Sequence, residues 1–124
     1  MSSPVLNNIE LPATDMAATK AFYTDVFGWN WTEYGPTYSA ADANGVEVGL
    51  STDASPAALP PTDDESSIGP LVLLQTDDLK AAVTAVTTHG GEIVTRPFDF
   101  PGGRRFHFRD PSGNVLGIYR ITTA

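Results

Sequence analysis

The feature that most constrains the fold of this 124-residue chain is a pattern of elements that occurs twice along it. In the first copy, an alternating segment at 5–11 precedes an amphipathic segment that begins at Met16. In the second copy, an apolar segment at 71–76 precedes an amphipathic segment that begins at Leu79. Such patterns are typical of strands and of helices, respectively. Because three further strand-like segments follow each helix, the sequence predicts two βαβββ modules in tandem.

The two copies also share cap and turn residues at a nearly constant spacing. The candidate helix caps Asp15 and Asp78 lie 63 residues apart, and the Asp-x-x-Gly turns that begin at Asp42 and Asp110 lie 68 residues apart. The five additional residues of the second copy fall in the Pro/Gly-rich segment 97–103, which we interpret as a loop. One small sheet with one helix is not stable alone, so the modules are expected to share a core.

The predicted fold class is α+β, in which the two modules form the curved mixed sheets of a half-barrel and the helices lie outside. The whole chain, 1–124, is interpreted as a single domain. Module 1 covers about 4–52 and module 2 about 70–122. The segment between them, at about 53–69, is rich in proline and acidic residues and is interpreted as a linker. A plain connector and a loop that closes over a cleft both fit this composition.

Composition excludes several classes of function. Seven Lys and Arg residues stand against 15 Asp and Glu, which gives a formal net charge of −8 with the histidines neutral. A chain this acidic is expected to repel nucleic acid and anionic membranes and to attract cationic small molecules. The absence of cysteine excludes disulfides and thiol chemistry. With no apolar run long enough to cross a bilayer and no secretory signal, the expected location is the cytoplasm.

Strand alternation divides each predicted sheet into a face under the helix and a second face, which we call the inner face. Ile9 and Leu11 should lie under the first helix, and the repeat then assigns both inner faces. The candidate ligand-binding residues on these faces are Asn8, Glu10, Glu47, Gly49, Leu71, Leu73, Gln75, Val115, Gly117 and Tyr119. This largely apolar set with two carboxylates suits a small ligand with an apolar body and a polar or cationic end. The glycines are expected to leave volume unfilled.

Three side chains are candidates for catalysis: Glu10, Glu47 and His107. His107 lies in the alternating segment 105–109, and the sequence leaves open whether it faces the cleft. On the cleft side it could pair with a glutamate as an acid–base unit near neutral pH. The other histidine, His89, lies at a predicted helix end, where it is expected to cap carbonyl groups or to face solvent.

Three segments resemble a known family. They read Asn-Ile-Glu-Leu-Pro at 8–12, Ala-Phe-Tyr-Thr-Asp-Val-Phe-Gly-Trp at 21–29 and Arg-Asp-Pro-Ser-Gly-Asn at 109–114. Together they resemble the glyoxalase/bleomycin-resistance/dioxygenase family, the vicinal oxygen chelate superfamily, and the resemblance extends over nearly the whole chain. It implies paired βαβββ modules and a homodimer whose clefts bind small molecules.

The resemblance also implies four positions for metal ligands. Enzymes of this family hold a divalent metal through His, Glu or Gln, and the matching positions here are Asn8, a position near Gly49, Leu71 and Gly117. Leucine and glycine side chains have no donor atom, and a single asparagine is a weak ligand. The sequence therefore predicts neither a metal site nor a cofactor.

Three functional hypotheses follow from these observations. The first is a metal-independent small-molecule-binding protein, similar to the bleomycin-resistance proteins, with a cleft between modules that accepts a cationic ligand. The second is an enzyme that resembles the glyoxalase-like lyases and uses Glu10, Glu47 or His107 in place of a metal. The third is a non-catalytic subunit with a vestigial cleft.

Overall fold

The first module folds in the predicted order. The structure, a computed structural model, describes residues 3–53 and 70–122. The elements of the first module are β1 (Asn8–Pro12), α1 (Met16–Phe27), β2 (Trp31–Glu33), β3 (Tyr38–Ala43) and β4 (Val46–Ser51). They form a sheet of order β1-β4-β3-β2, in which β1 and β4 are parallel and the other neighbours are antiparallel.

The second module repeats this topology. Its elements are β5 (Leu73–Gln75), α2 (Leu79–Thr88), β6 (Glu92–Phe100), β7 (Gly103–Arg109) and β8 (Val115–Ile121). The sheet has the order β5-β8-β7-β6, with β5 and β8 parallel. The register repeats as well, because Glu10 opposes Gly49 in the first sheet and Leu73 opposes Gly117 in the second. The duplication predicted from the sequence is therefore confirmed at the level of residue pairs.

Both helices begin at the predicted caps. The carboxylate of Asp15 accepts a hydrogen bond from the backbone N–H of Ala18 at 3.0 Å, and Asp78 does the same for Ala81 at 3.0 Å. Each cap satisfies one of the backbone donors that a helix leaves unpaired at its first turn. α1 ends at Gly28, whose φ of 75° is the left-handed conformation that glycine adopts most easily.

The interpretation of 97–103 as a loop is wrong. β6 continues through Pro97 to Phe100, and the turn before β7 contains only Pro101 and Gly102. β6 is the edge strand of its sheet, where a proline is tolerated, and two register shifts between Ile93 and Phe98 absorb the irregularity. The additional residues of the second module therefore lengthen a β-hairpin. In contrast, β1 and β5 are both shorter than predicted, since they begin at Asn8 and Leu73.

The two modules share one hydrophobic core, as predicted. Phe22 from α1 packs against Phe108 from β7, with ring centroids 5.8 Å apart. Both rings are almost completely buried. The largest buried apolar side chains come from both modules and are Phe22, Tyr23, Leu50, Phe106, Phe108, Leu116 and Ile118. The core is therefore a single cluster to which both sheets and both helices contribute.

A polar network also joins the modules. We call the side chains of Thr19, Tyr23, Asp110, Ser112 and Asn114 the junction network. The hydroxyl of Tyr23 in α1 donates to Asp110 at 2.8 Å, and the amide of Asn114 donates to the carbonyl of Pro12 at 2.7 Å. Ser112 accepts a hydrogen bond from the backbone N–H of Thr14 and contacts the hydroxyl of Thr19. The Asp-Pro-Ser-Gly-Asn turn of module 2 thereby holds the start of α1.

Most of the predicted linker, 54–69, lies outside the described residues. Within the described residues, neither helix is long and apolar enough to span a membrane.

Candidate functional site

The inner face of the first sheet is a polar wall. Asn8 opposes Glu47 in the register, and its amide donates to the Glu47 carboxylate at 2.7 Å. Glu10 opposes Gly49 on the same face, as predicted. We call the side chains of Asn8, Glu10, Tyr38 and Glu47 the acidic wall. Its two carboxylates lie on neighbouring strands and are both exposed to solvent.

The sequence alone leaves open whether Tyr38 belongs to the sheet core or to the wall of the cleft, and the structure places it on the acidic wall. Its ring lies across Gly49, so that a Cβ at that glycine would lie only 2.0 Å from the Tyr38 hydroxyl. Burial raises the pKa of the Tyr38 hydroxyl above its usual 10.0, and the carboxylates of Glu10 and Glu47 act in the same direction. The expectation that Gly49 leaves open volume is therefore wrong, because the tyrosine from the adjacent strand fills it. Such diagonal contacts are within reach of aromatic side chains.

Along β5 and β8, the inner face of the second sheet carries only uncharged side chains among the described residues. Leu73 opposes Gly117, and Gln75 opposes Tyr119, whose hydroxyl donates to the Gln75 amide oxygen at 3.3 Å. A Cβ at Gly117 would meet Leu73 at 2.5 Å and His107 at 3.1 Å. The volume beside this glycine is therefore also occupied. Val115 lies at the same face as these residues, whereas Leu71 precedes β5 and is half-buried.

His107 lies on the inner face of the second sheet. It opposes Gly117 in the register, and its ring packs edge-on against Phe98 at 5.6 Å. The residue is only 2% exposed, and its Nε2 atom has no hydrogen-bond partner. Burial, with a smaller contribution from the charge of Arg105, lowers the pKa of His107 below its usual 6.5. His107 is therefore a neutral imidazole at neutral pH.

Arg105 gives this wall a positive charge. Its guanidinium lies 5.2 Å from the ring centroid of Phe98 and 5.4 Å from that of Phe100, which is the geometry of a cation–π contact. Together with Leu73 and Tyr119, Phe100 and Arg105 line a cavity of about 250 Å³. The Nε atom of Arg105 is buried without a hydrogen-bond partner. We call Leu73, Phe98, Phe100, Arg105, His107 and Tyr119 the aromatic wall.

The structure does not bring the three catalytic candidates together. Glu10 and Glu47 belong to the acidic wall, and His107 belongs to the aromatic wall. Among the described residues, His107 is not paired with either glutamate. The second histidine, His89, is the C-cap of α2 and is exposed, with its Nδ1 atom 3.7 Å from Asp25.

The residues present do not fit the divalent metal that the fold family implies. The four matching positions hold Asn8, Gly49, Leu71 and Gly117, and the amide of Asn8 is already bonded to Glu47. Within the described part of the chain, no group of three or more His, Cys, Asp or Glu residues could hold a metal ion. A catalytic metal needs about three such ligands.

The lowered pKa of His107 predicts a pH dependence of stability. In the unfolded chain, His107 takes up a proton near the ordinary pKa of 6.5, whereas in the folded protein it does so only at a lower pH. The free energy of unfolding should therefore fall as the pH drops below 6.5 toward the folded pKa. In His107→Gln this decline should be smaller. Melting temperatures measured at about pH 7.5 and about pH 5.5 test this, with exposed His89→Gln as the control. An identical decline in His107→Gln and the wild type would contradict it.

Two βαβββ modules that share one core, with an acidic wall on one inner face and an aromatic wall on the other, define a duplicated α+β protein of the glyoxalase type. A family model described as the Glyoxalase/Bleomycin resistance protein/Dioxygenase superfamily matches residues 5–118. The chain belongs to this superfamily, as its motifs suggested.

Relatives and solved structures are consistent with this assignment. The chain is 33% identical over 122 residues to the "Putative glyoxylase CFP32" of Mycobacterium tuberculosis, covering 92% of this chain and 44% of that protein. It is 31% identical over 123 residues to the "Anthracycline biosynthesis protein DnrV" of Streptomyces peucetius, covering 90% and 45%. The chain thus spans less than half the length of these two relatives. A glyoxalase/bleomycin resistance protein/dioxygenase family enzyme from Burkholderia phytofirmans has the same fold, with a TM-score of 0.74 at 19% identity over 94% of this chain and 98% of that one.

Proposed function

We propose that this protein binds a small organic molecule, without a metal, between an acidic wall and an aromatic wall. The observation that carries the proposal is the pair of buried polar atoms on the aromatic wall, Nε of Arg105 and Nε2 of His107, which have no hydrogen-bond partner. Buried polar atoms in native proteins are nearly always paired, and an unpaired one calls for a missing water or ligand. Arg105 lines the cavity, and His107 lies two residues further along β7 on the same face.

A second copy of the chain is proposed to complete the cleft. The cavity of about 250 Å³ on the aromatic wall is smaller than the roughly 300–1,000 Å³ of most ligand pockets. Asn8 bonds to Glu47 and Tyr119 bonds to Gln75, each within its own sheet. These hydrogen bonds therefore do not connect either wall to another part of the chain, and a second copy can pack against it. Leu73 is 39% exposed there, so its side chain is available to pack against a second copy. An acidic wall from one copy that faces the aromatic wall of another would enclose a larger site.

The two walls together define the class of ligand. Glu10 and Glu47 favour a cationic group, as the sequence suggested. Arg105 favours an oxygen that accepts hydrogen bonds, and the rings of Phe98 and Phe100 favour a planar body. We therefore propose a planar aromatic ligand that carries both an amine and acceptor oxygens, rather than a simple cation.

The test uses a hydroxyanthraquinone with an alkylamine side chain, which is planar, cationic and rich in acceptor oxygens. The compound should bind a dimer of the protein and raise its melting temperature, with no effect of EDTA. Arg105→Gln should weaken binding about tenfold or more, because it removes a charge-assisted hydrogen bond. Arg104→Gln, the same change on the opposite face of β7, is the matched control. Equal affinity in the two variants, or binding by a monomer, would contradict the proposal.

A second candidate function is proton transfer by His107, as in a glyoxalase-like lyase. The observation in its favour is that this imidazole is buried, neutral and unpaired at Nε2. A base of this kind could remove a proton beside a carbonyl group. Incubation with methylglyoxal and glutathione distinguishes the two candidates. Turnover that His107→Gln abolishes, while the variant still binds the anthraquinone, would favour the enzyme.

A further inference from the structure

We infer that a second cavity, on the helix-covered face of module 2, binds an apolar monocarboxylate. The cavity has a volume of about 700 Å³ and lies between the first turns of α2 and the strands β6, β7 and β8. Arg104 and Arg120 line it from neighbouring strands. This inference does not depend on the proposed function, because the two sites share no residue.

The strand register separates this cavity from the inner face. Arg104 opposes Arg120, and the next pair on the same face is Phe106 opposite Ile118. Phe106 and Ile118 are core residues, so the two arginines extend the helix-covered face beyond the core. Arg105, which belongs to the aromatic wall, points to the opposite side. The same short segment of β7 therefore supplies a cation to each face.

Both guanidinium groups are held in place by the backbone. Nε of Arg120 donates to the carbonyl of Asp77 at 3.0 Å. Nη2 of Arg104 donates to the carbonyl of Pro97 at 3.0 Å, and Nη1 donates to Asp99 at 2.9 Å. Within the described residues, the two Nη groups of Arg120 have no hydrogen-bond partner. The planar fork of Arg120 is therefore positioned and available to bind a carboxylate with two hydrogen bonds.

The charges around the cavity limit the ligand to a single negative charge. Lys80, Arg104 and Arg120 are three of the seven cations of a chain with a net charge of −8. Asp77 and Asp78 also line the cavity, although the Asp78 carboxylate is engaged as the cap of α2. Cations and carboxylates are therefore nearly balanced at the cavity. A dianion such as a phosphate monoester would meet repulsion from the aspartates, whereas one carboxylate at Arg120 would be neutralised locally.

The remaining walls are apolar. Leu79 and Val83 lie one turn apart on α2, and Pro97 of β6 also lines the cavity. A volume of about 700 Å³ falls within the roughly 300–1,000 Å³ that is typical of small-molecule sites. An aliphatic or aromatic body would bury against these residues while its carboxylate reaches Arg120. A medium-chain fatty acid has this chemistry.

Decanoate, used below the concentration at which it forms micelles, tests the inference by calorimetry on the intact chain. Wild-type protein should bind decanoate more tightly than decanol, and Arg120→Gln should weaken decanoate binding about 10- to 100-fold without changing decanol binding. Arg105→Gln, on the aromatic wall, should leave decanoate affinity unchanged. Equal decanoate affinity in Arg120→Gln and the wild type would overturn the inference, as would a loss in Arg105→Gln. Because Arg105→Gln is the variant that weakens anthraquinone binding, the two proposals fail separately.

Discussion

Replacing Asp110 with alanine is expected to lower the free energy of unfolding by about 3–5 kcal/mol. The Asp110 carboxylate is almost fully buried, and burial raises its pKa above the usual 3.8. Four hydrogen bonds offset that burial. They come from the backbone N–H groups of Ser112 and Asn114, the Tyr23 hydroxyl and the Asn114 side chain. Alanine would leave the Tyr23 hydroxyl and the two backbone N–H groups buried without an acceptor, and the Asn114 amide would keep only its bond to Pro12.

The loss should affect both modules, because Asp110 is the centre of the junction network. Tyr23 belongs to α1 of module 1, and Asn114 also bonds to the carbonyl of Pro12 in β1. If Asp110 no longer orders its turn, Ser112 loses the position from which it holds the backbone of Thr14. The turn of module 2 and the start of α1 should therefore loosen together.

Urea unfolding measures this effect. Asp99→Ala is the matched control, since Asp99 is exposed and bonded only to Arg104 among the described residues. Exposed ion pairs contribute about 0–1 kcal/mol, so the control should stay near the wild type. Tyr23→Phe, which removes one of the four donors, should fall between the two variants. If Asp110→Ala unfolds at the same urea concentration as Asp99→Ala, the junction network does not join the modules.

The repeat made much of the fold predictable. The shared spacing of the caps Asp15 and Asp78 aligns the two modules, and strand alternation then assigns the inner faces. The observed pairs Glu10–Gly49 and Leu73–Gly117 agree with this assignment. Such patterns are reliable because one residue of slip would turn every apolar side chain toward the wrong face. Turn chemistry was equally informative, as at Asn44, which adopts a φ of 55° in the predicted tight turn.

The prediction failed where a local rule depends on tertiary position. Pro97 indicated a loop, yet it lies in a strand because β6 is at the edge of its sheet. The sequence alone therefore does not assign Phe98 and Phe100 to an inner face. The glycines failed for another reason. Alternation assigns Gly49 to a face, but it does not show that the ring of Tyr38 reaches across from the next strand.

The charge of the site was only half predictable. Glu10 and Glu47 were assigned to the inner face, and they favoured a cationic ligand. The orientation of His107 was open from the sequence, and with it the orientation of Arg105, two residues earlier on the same strand face. The structure places both on the inner face of the second sheet. The net charge of −8 is a property of the whole chain and does not describe both walls. The acidic wall is negative, whereas Arg105 makes the aromatic wall positive.

Replacing Gly103 with alanine is the second change with a large expected effect, a loss of about 3 kcal/mol or more in the free energy of unfolding. An added Cβ would lie 2.0 Å from the backbone oxygen of Arg120 on the adjacent strand. A backbone carbonyl in a strand pair cannot rotate away, so β7 and β8 would have to separate at this point. Gly103 opposes Ile121 there, at the end of β8.

Gly117→Ala is the matched control, because the same added methyl group meets only side chains at the closest points. Its Cβ would approach Leu73 at 2.5 Å and His107 at 3.1 Å, and both side chains are able to shift. We expect a loss of about 1 kcal/mol, together with weaker anthraquinone binding, since both neighbours belong to the aromatic wall. Gly103→Ala should lose more stability in urea unfolding. Equal losses in the two variants would contradict this prediction. They would show that β7 and β8 can adjust to a methyl group at Gly103 as easily as side chains adjust to one at Gly117.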